Sequence, residues 1–168
     1  GYKSLALVII TAFIMGLVIT IQSRPTLVEF GAEAWLPKMV SVSLVREIAP
    51  VITALICAGK IGSGIGAELG SMRVTEQIDA MEVSAINPFK YLVVTRIFAC
   101  TFILPLLTVF VIFISLFGSY IAVLLTQNMS VEYYIDAVVG AVEFGDAIPG
   151  VAKTFVFGFI VGVVGSYK

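Results

Sequence analysis

The 168-residue sequence contains no histidine and few charged residues. Without histidine the chain lacks the most common general base and metal ligand of proteins. Charged residues make up 12% of the chain, whereas a soluble domain carries about 25%. The net charge of −1 gives no electrostatic basis for binding nucleic acid. These absences argue against histidine-dependent catalysis, an ordinary soluble domain and a nucleic-acid-binding protein.

Cysteine is also scarce, with only Cys57 and Cys100 in the chain. Both lie inside long apolar stretches, where a cysteine usually behaves as a small buried hydrophobic residue. We therefore predict neither a disulfide nor a metal site from these two residues.

Long apolar stretches are what the sequence has in abundance, and 60% of its residues are hydrophobic. Four blocks, approximately residues 4–22, 39–61, 97–125 and 150–167, are long enough to cross about 30 Å of hydrocarbon as helices. The third block is too long for an upright span and contains Pro105, so we expect it to be tilted or kinked. The sequence predicts an all-α, polytopic transmembrane bundle that forms a single domain over residues 1–168.

The basic residues indicate how this bundle is oriented. Lys60, Arg73, Lys90 and Arg96 lie in or beside the connection between the second and third blocks, whereas residues 126–150 contain no basic residue. Because basic residues concentrate in cytoplasmic loops, residues 62–96 are predicted to be cytoplasmic and the other two connections to face outward.

Two charged residues, Arg46 and Glu47, interrupt the second block side by side. Pro50 cannot donate the hydrogen bond that the Arg46 carbonyl would accept in a regular helix, so the helix should loosen there. Charges inside an apolar membrane span need a polar cavity or buried partners. We favour a functional cavity over a purely structural ion pair. Lys153, near the outer end of the fourth block, either extends to the membrane surface or joins the same polar cluster.

Small residues recur at every fourth position from residue 54 to residue 70. The series consists of Ala54, Ala58, Gly62, Gly66 and Gly70. This spacing favours a helix that runs past the membrane edge and packs closely on another helix, rather than a flexible loop. Lys60 follows a glycine, but Ile61 occupies the position where a phosphate-binding loop needs Ser or Thr. We therefore expect ATP, if it is used, to be bound by another chain.

The cytoplasmic segment after this series has the features of a short amphipathic helix. Thr75 is a suitable N-cap, and Asn87–Pro88 would end the helix. The apolar stripe is Ile78, Met81 and Ala85, and the acidic stripe is Glu76, Asp79 and Glu82. An acidic stripe is usually a solvated face, but such a helix is also suited to docking a partner subunit.

Residues 44–99 resemble the signature region of the MlaE (YrbE) permease family, most specifically in the run ELGSMRVTEQIDAM at 68–81. Members of this family are membrane subunits of ABC transporters that move phospholipids between the inner and outer membranes of Gram-negative bacteria. Relatives occur in the chloroplast envelope. The resemblance implies a multi-pass protein of the inner membrane or, alternatively, of the chloroplast inner envelope.

The resemblance also implies partners and roles for individual residues. The partners are a second copy of the chain, a cytoplasmic ATPase that uses ATP and Mg²⁺, and a periplasmic MCE-domain protein. Arg46, Glu47 and Lys153 would line a phospholipid cavity at the dimer interface. The residues that couple to the ATPase would be Glu68, Met72, Arg73, Thr75, Glu76, Gln77, Asp79 and Glu82. Ala58, Gly62, Gly66 and Gly70 would serve helix packing. The chain itself would be non-catalytic and bind no cofactor.

Family members are longer than this sequence, with an amphipathic segment before the first block and a fifth helix after the fourth. We therefore expect the chain to be a fragment of such a permease. The rival interpretation is a secondary transporter or ion channel in which Arg46, Glu47 or Lys153 carries the charge. An internal repeat would favour that rival, and the four blocks contain none. A non-transporting scaffold would leave the intramembrane charges unexplained.

Overall fold

A computed structural model describes residues 2–127 and 129–167, and this part of the chain is helical without any strand. The prediction of an all-α bundle is therefore confirmed. The helices are α1 Tyr2–Glu29, α2 Leu36–Ser43, α3 Ala49–Cys57, α4 Ser63–Val74, α5 Gln77–Val83, α6 Thr95–Gln127, α7 Val131–Ala141 and α8 Phe144–Ser166.

Three of these helices, α2 to α4, belong to one continuous helical run from Glu33 to Val74, which we call the long second helix. A 3₁₀ turn opens it, and π turns at Leu44–Ile48 and Ala58–Gly62 join its parts. It continues well past residue 61, where the apolar block ends, as the spacing of small residues predicted. A third π turn, Phe89–Val94, leads into α6.

Four helical runs are long and apolar enough to cross a membrane: Leu5–Glu29, Glu33–Val74, Phe89–Gln127 and Gly145–Ser166. The predicted number of spans is confirmed, and the chain is a multi-pass membrane protein.

Helix α6 lies at the centre of the bundle, with α1 and α8 packed along it. Glycines permit both contacts. A Cβ atom on Gly118 would lie 2.3 Å from the Phe13 carbonyl oxygen of α1, and one on Gly158 would lie 2.6 Å from the Cys100 carbonyl oxygen. The buried Thr20 hydroxyl donates a hydrogen bond to the Ser119 hydroxyl across the α1–α6 contact, at 2.8 Å. Close backbone approach and buried hydroxyl pairs are typical of helices that pack within a membrane.

The predicted outward connection at residues 126–150 contains a helix of its own, α7. The Ser130 side chain caps its N-terminus by accepting from the backbone N–H of Tyr133. Tyr134 is buried against Tyr120, and its hydroxyl donates to the Leu116 carbonyl at 3.1 Å. Because desolvation disfavours the phenolate, burial raises the pKa of Tyr134. These contacts attach α7 to α2 and to the C-terminal half of α6.

The predicted amphipathic helix after Val74 is shorter than expected, and the N-cap assignment to Thr75 was wrong. Thr75 ends α4 instead, because its hydroxyl and its backbone N–H both donate to the Ser71 carbonyl. Glu76 then adopts a left-handed backbone conformation, with φ of 58°, and α5 begins at Gln77. A second left-handed residue, Ala85, lies after the end of α5 rather than on its apolar stripe.

The small residues of the long second helix have different surroundings. Gly62 and Gly66 face α8, where the Gly165 backbone lies against Gly62. Ala58 and Gly70 are exposed, and no atom would lie within 4 Å of a Cβ atom added to Gly70. Close packing within this chain is thus limited to the middle of the series.

Candidate functional site

Arg46 and Glu47 lie in the π turn Leu44–Ile48 of the long second helix, directly before Pro50. Pro50 has no N–H to donate to the Arg46 carbonyl, and its ring would clash with that carbonyl in a regular α-helix. The backbone N–H of Ala49 instead donates to the Leu44 carbonyl, five residues earlier. This bond defines the π turn, so the loosening predicted from Pro50 takes the form of a widened helical turn.

Helix α8 crosses the long second helix at this turn, and Gly150 is the point of contact. A Cβ atom on Gly150 would lie 2.8 Å from the Val45 carbonyl oxygen. Asp146 precedes Gly150 by one helical turn, and Lys153 follows it by about one turn, so all three lie on one face of α8. The crossing therefore brings one acidic and one basic side chain to the π turn.

Four side chains form what we call the charged cluster: Arg46, Glu47, Asp146 and Lys153. The Lys153 ammonium donates to Glu47 Oε1 at 2.7 Å, a short charge-assisted hydrogen bond. Arg46 Nη1 lies 3.4 Å from Asp146 Oδ1, which makes the second ion pair longer. The two pairs link the same two helices.

The charged cluster is accessible from outside the chain. The Arg46 and Glu47 side chains are 55% and 58% exposed, and the Lys153 side chain is 42% exposed. Asp146 is the most enclosed of the four, with 25% exposure. Two basic and two acidic groups leave the cluster neutral, so it can exchange an internal pair for a ligand charge of either sign.

The structure brings Arg46, Glu47 and Lys153 together, and it adds Asp146 and Gly150, which sequence reasoning missed. The hydropathy pattern assigns residues 126–150 to a connection, and Asp146 within it therefore has no predicted role. The spacing of Asp146, Gly150 and Lys153 places them on one helical face and was the signal that could have found them.

The predicted coupling residues lie away from the charged cluster, in the last turns of the long second helix, in the turn after it and in α5. Glu68 is about 32 Å along the helix from Glu47 at 1.5 Å per residue, and it pairs with Arg96 Nη2 at 3.2 Å. Met72 is partly buried. The exposed members are Arg73, Thr75, Glu76, Gln77, Asp79 and Glu82.

A helical, multi-pass bundle with accessible charges on its spanning helices has the construction of a membrane transport protein. Residues 1–168 match the family model described as Permease MlaE, and the chain belongs to this family. The resemblance seen in the sequence is confirmed.

Named relatives give the family its context. The chain is 36% identical to a probable ABC transporter permease protein of Synechocystis sp., over 98% of this chain and 63% of the relative. It is 36% identical to a probable ABC transporter permease protein of Rickettsia typhi, over 100% of this chain and 65% of the relative. It is also 36% identical to the intermembrane phospholipid transport system permease protein MlaE of Haemophilus influenzae, over 70% of this chain and 45% of the relative. The matched chain thus covers less than two thirds of the length of each of these relatives.

Proposed function

We propose that this chain belongs to the permease subunit of an ABC transporter that moves phospholipid between the inner and outer membranes. Family membership and the name of the Haemophilus influenzae relative support the substrate class. The subunit would lie in the inner membrane and bind no cofactor, and a separate cytoplasmic ATPase would hydrolyse ATP. The observation that carries the proposal is the accessible charged cluster on two membrane-spanning helices.

The charged cluster would bind the phospholipid headgroup. The Arg46–Asp146 contact of 3.4 Å is longer than the 2.7–2.9 Å usual for such charged hydrogen bonds, so a phosphate can replace Asp146 as the partner of Arg46. A guanidinium group can then hold two phosphate oxygens at once. Lys153 supplies a second positive charge, and Glu47 keeps it in place or receives the ammonium group of a zwitterionic headgroup.

The cavity that holds the whole lipid would form between two copies of the chain, with the acyl chains on apolar helix faces. The exposure of the charged cluster in a single chain supports this arrangement, because charges on a spanning helix require a covering partner or a polar cavity. A periplasmic MCE-domain protein would pass lipid to or from the outer opening.

Coupling to the ATPase would use the opposite end of the same helix. The long second helix carries Arg46 and Glu47 in its N-terminal half, on the predicted outer side, and Glu68 to Arg73 at its C-terminal end, on the predicted inner side. Beyond it, the turn at Glu76 and the short helix α5 expose three acidic side chains and the apolar side chain of Val83. Charged and apolar groups exposed together at the predicted cytoplasmic side suit a docking surface for another subunit.

The test of this coupling is a triple charge reversal in the full-length protein, with Glu76, Asp79 and Glu82 each replaced by Lys. All three side chains are exposed, so the bundle should fold. We expect the ATPase no longer to co-purify with the permease, because the three new lysines would repel the basic groups of the ATPase that the acidic stripe would contact. The MCE-domain protein should still co-purify, since it contacts the outer side.

The matched control reverses three acidic residues on the predicted outer side, Glu132, Asp136 and Glu143, with the same change in net charge. This control should retain the ATPase. If the cytoplasmic triple variant also retains both the ATPase and lipid transport, the acidic stripe is only a solvated face and the proposed docking surface is wrong.

A further inference from the structure

A cavity lies at the predicted cytoplasmic half of the bundle, separate from the charged cluster. Its volume is about 450 Å³, within the range of pockets that bind small ligands. It lies between the start of α1, the long second helix and α6, and most of its lining is apolar, including Leu5, Val8, Ile56, Ile103 and Leu107. Ile56 is the lining residue of the long second helix nearest to Glu47 and lies nine residues from it, which corresponds to about 14 Å along the helix.

The depth of the cavity matches one leaflet of a membrane. Its lining on α6 extends from Arg96 to Leu107, which corresponds to about 16 Å at 1.5 Å per residue. Half of a hydrocarbon core of about 30 Å has the same depth. A single acyl chain that enters at Arg96 can therefore lie along the whole cavity.

The charged side chains of this cavity are all at one end, and their sum is positive. Lys60, Glu68 and Arg96 line that end. Arg96 Nη2 lies 3.2 Å from Glu68 Oε1, so these two charges offset each other. Lys60 is exposed in the π turn Ala58–Gly62 and forms no ion pair within residues 2–127 and 129–167. The cavity thus has an apolar body and an uncompensated positive charge at the membrane surface.

We propose that this cavity is a binding site for an anionic phospholipid of the cytoplasmic leaflet, with one acyl chain between α1, the long second helix and α6. Lys60 contacts the headgroup phosphate. The basic end lies where the anionic lipids of that leaflet have their headgroups. The site shares the long second helix with the charged cluster but has its other walls on α1 and α6 instead of α8. It also differs in its predicted side of the membrane and in its net charge, so it does not depend on the proposed function.

The test uses the full-length protein in nanodiscs of phosphatidylglycerol, with a photo-crosslinking amino acid at position 103 or position 102. Ile103 lines the cavity, whereas its neighbour Phe102 is equally near the membrane surface but lies outside the lining. We expect lipid labelling at position 103 to exceed that at position 102 several-fold. No ATP or partner subunit is added, so the result is independent of transport.

The contribution of the charge is tested with Lys60→Gln, using Lys90→Gln as the control. Lys90 is another exposed lysine on the predicted cytoplasmic side but lies outside the cavity. Lys60→Gln should lower labelling at position 103 about fivefold, the effect expected for one basic residue at an anionic surface. Lys90→Gln should leave it unchanged, and phosphatidylcholine nanodiscs should give weaker labelling.

Three results would overturn the proposal. Equal labelling at positions 102 and 103 would mean that only surrounding bulk lipid is sampled, or that another protein segment fills the cavity. Labelling that is the same for Lys60→Gln and Lys90→Gln would show that Lys60 does not contact the headgroup. Displacement of the label by oleate at a low molar ratio to phospholipid would assign the cavity to free fatty acid.

Discussion

The ion pair between Glu47 and Lys153 shows how two charges are accommodated on spanning helices. Each would be costly alone in hydrocarbon, but the 2.7 Å contact joins them across two helices. The incomplete burial of both side chains leaves room for a third polar group. The pair therefore has the geometry of a binding group that is held in position and still accessible.

Glu47→Gln in the full-length protein tests the charge of this pair while preserving its shape. We expect lipid transport to fall about tenfold, because a hydrogen bond between charged groups is lost at the proposed headgroup site. The amount of folded protein should change little, since both side chains are about half exposed. Transport by reconstituted proteoliposomes and the thermal unfolding midpoint in detergent are the two measurements.

A charge swap distinguishes the effect of the Glu47–Lys153 ion pair from the effects of the two individual side chains. Glu47→Lys alone should abolish transport, because it places two ammonium groups together. Glu47→Lys combined with Lys153→Glu restores the pair and should recover folding, with partial transport. If the double variant unfolds as readily as the single one, the two residues do not act as a pair.

Arg46 and Glu47 could be identified as site residues from the sequence, because charge within an apolar block is a local signal. The sequence left two alternatives open for Lys153, and it did not find Asp146. The partner of Arg46 is 100 residues away in the chain, and no periodicity within either helix specifies which side chains will meet. The crossing of α8 at Gly150 decides this, and it depends on tertiary packing.

Among the helices, α6 and α8 show how missing side chains set the packing distance. Gly158 and Gly162 are one turn apart on α8 and lie against the backbone of α6. Their spacing is the same small-residue pattern that the sequence showed between residues 54 and 70. The fourth apolar block thus carries the same small-residue signal as the second.

Gly158→Ala should destabilise the bundle by about 1–3 kcal/mol, the usual effect of overpacking a tight contact. The added methyl group would lie 2.6 Å from the Cys100 carbonyl oxygen, which belongs to the backbone and has little freedom to move. Unfolding in detergent, followed as a function of denaturant concentration, gives the change in the free energy of unfolding.

Gly140→Ala is the matched control, because Gly140 is a helical glycine of α7 with no atom within 4 Å of an added Cβ. It should be neutral or stabilise the protein by up to about 1 kcal/mol through helix propensity. Equal destabilisation by both changes would show that the α6–α8 contact is looser than described.

The four spans could be predicted because each is a long apolar run, which is the strongest signal a sequence gives. The helix ends were harder. Thr75 has the side chain of an N-cap, but the long second helix extends to Val74, and the Thr75 hydroxyl is used by the preceding turn. Helix α7 is short, and the contact of Tyr134 with Leu116 that attaches it is visible only in three dimensions.

For the molecule as a whole, the long second helix connects two regions that would otherwise be independent. Its N-terminal part carries Arg46 and Glu47 in the π turn that precedes Pro50, and its C-terminal part ends just before the exposed residue Glu76. A second π turn, Ala58–Gly62, lies between them. Under the proposed function, closure of a partner ATPase against the predicted inner end would reach the proposed headgroup site through one continuous helix.

Photo-crosslinking shows whether the charged cluster lies on the path of the transported lipid. A crosslinking amino acid at position 46 or 47 of the full-length protein, reconstituted with its partners in phospholipid, should capture phospholipid well above background. The comparison position is 113, because Phe113 is an exposed residue of α6 that takes no part in the charged cluster. Labelling at 46 and 47 that is no stronger than at 113 would place the lipid path elsewhere and make the two ion pairs purely structural.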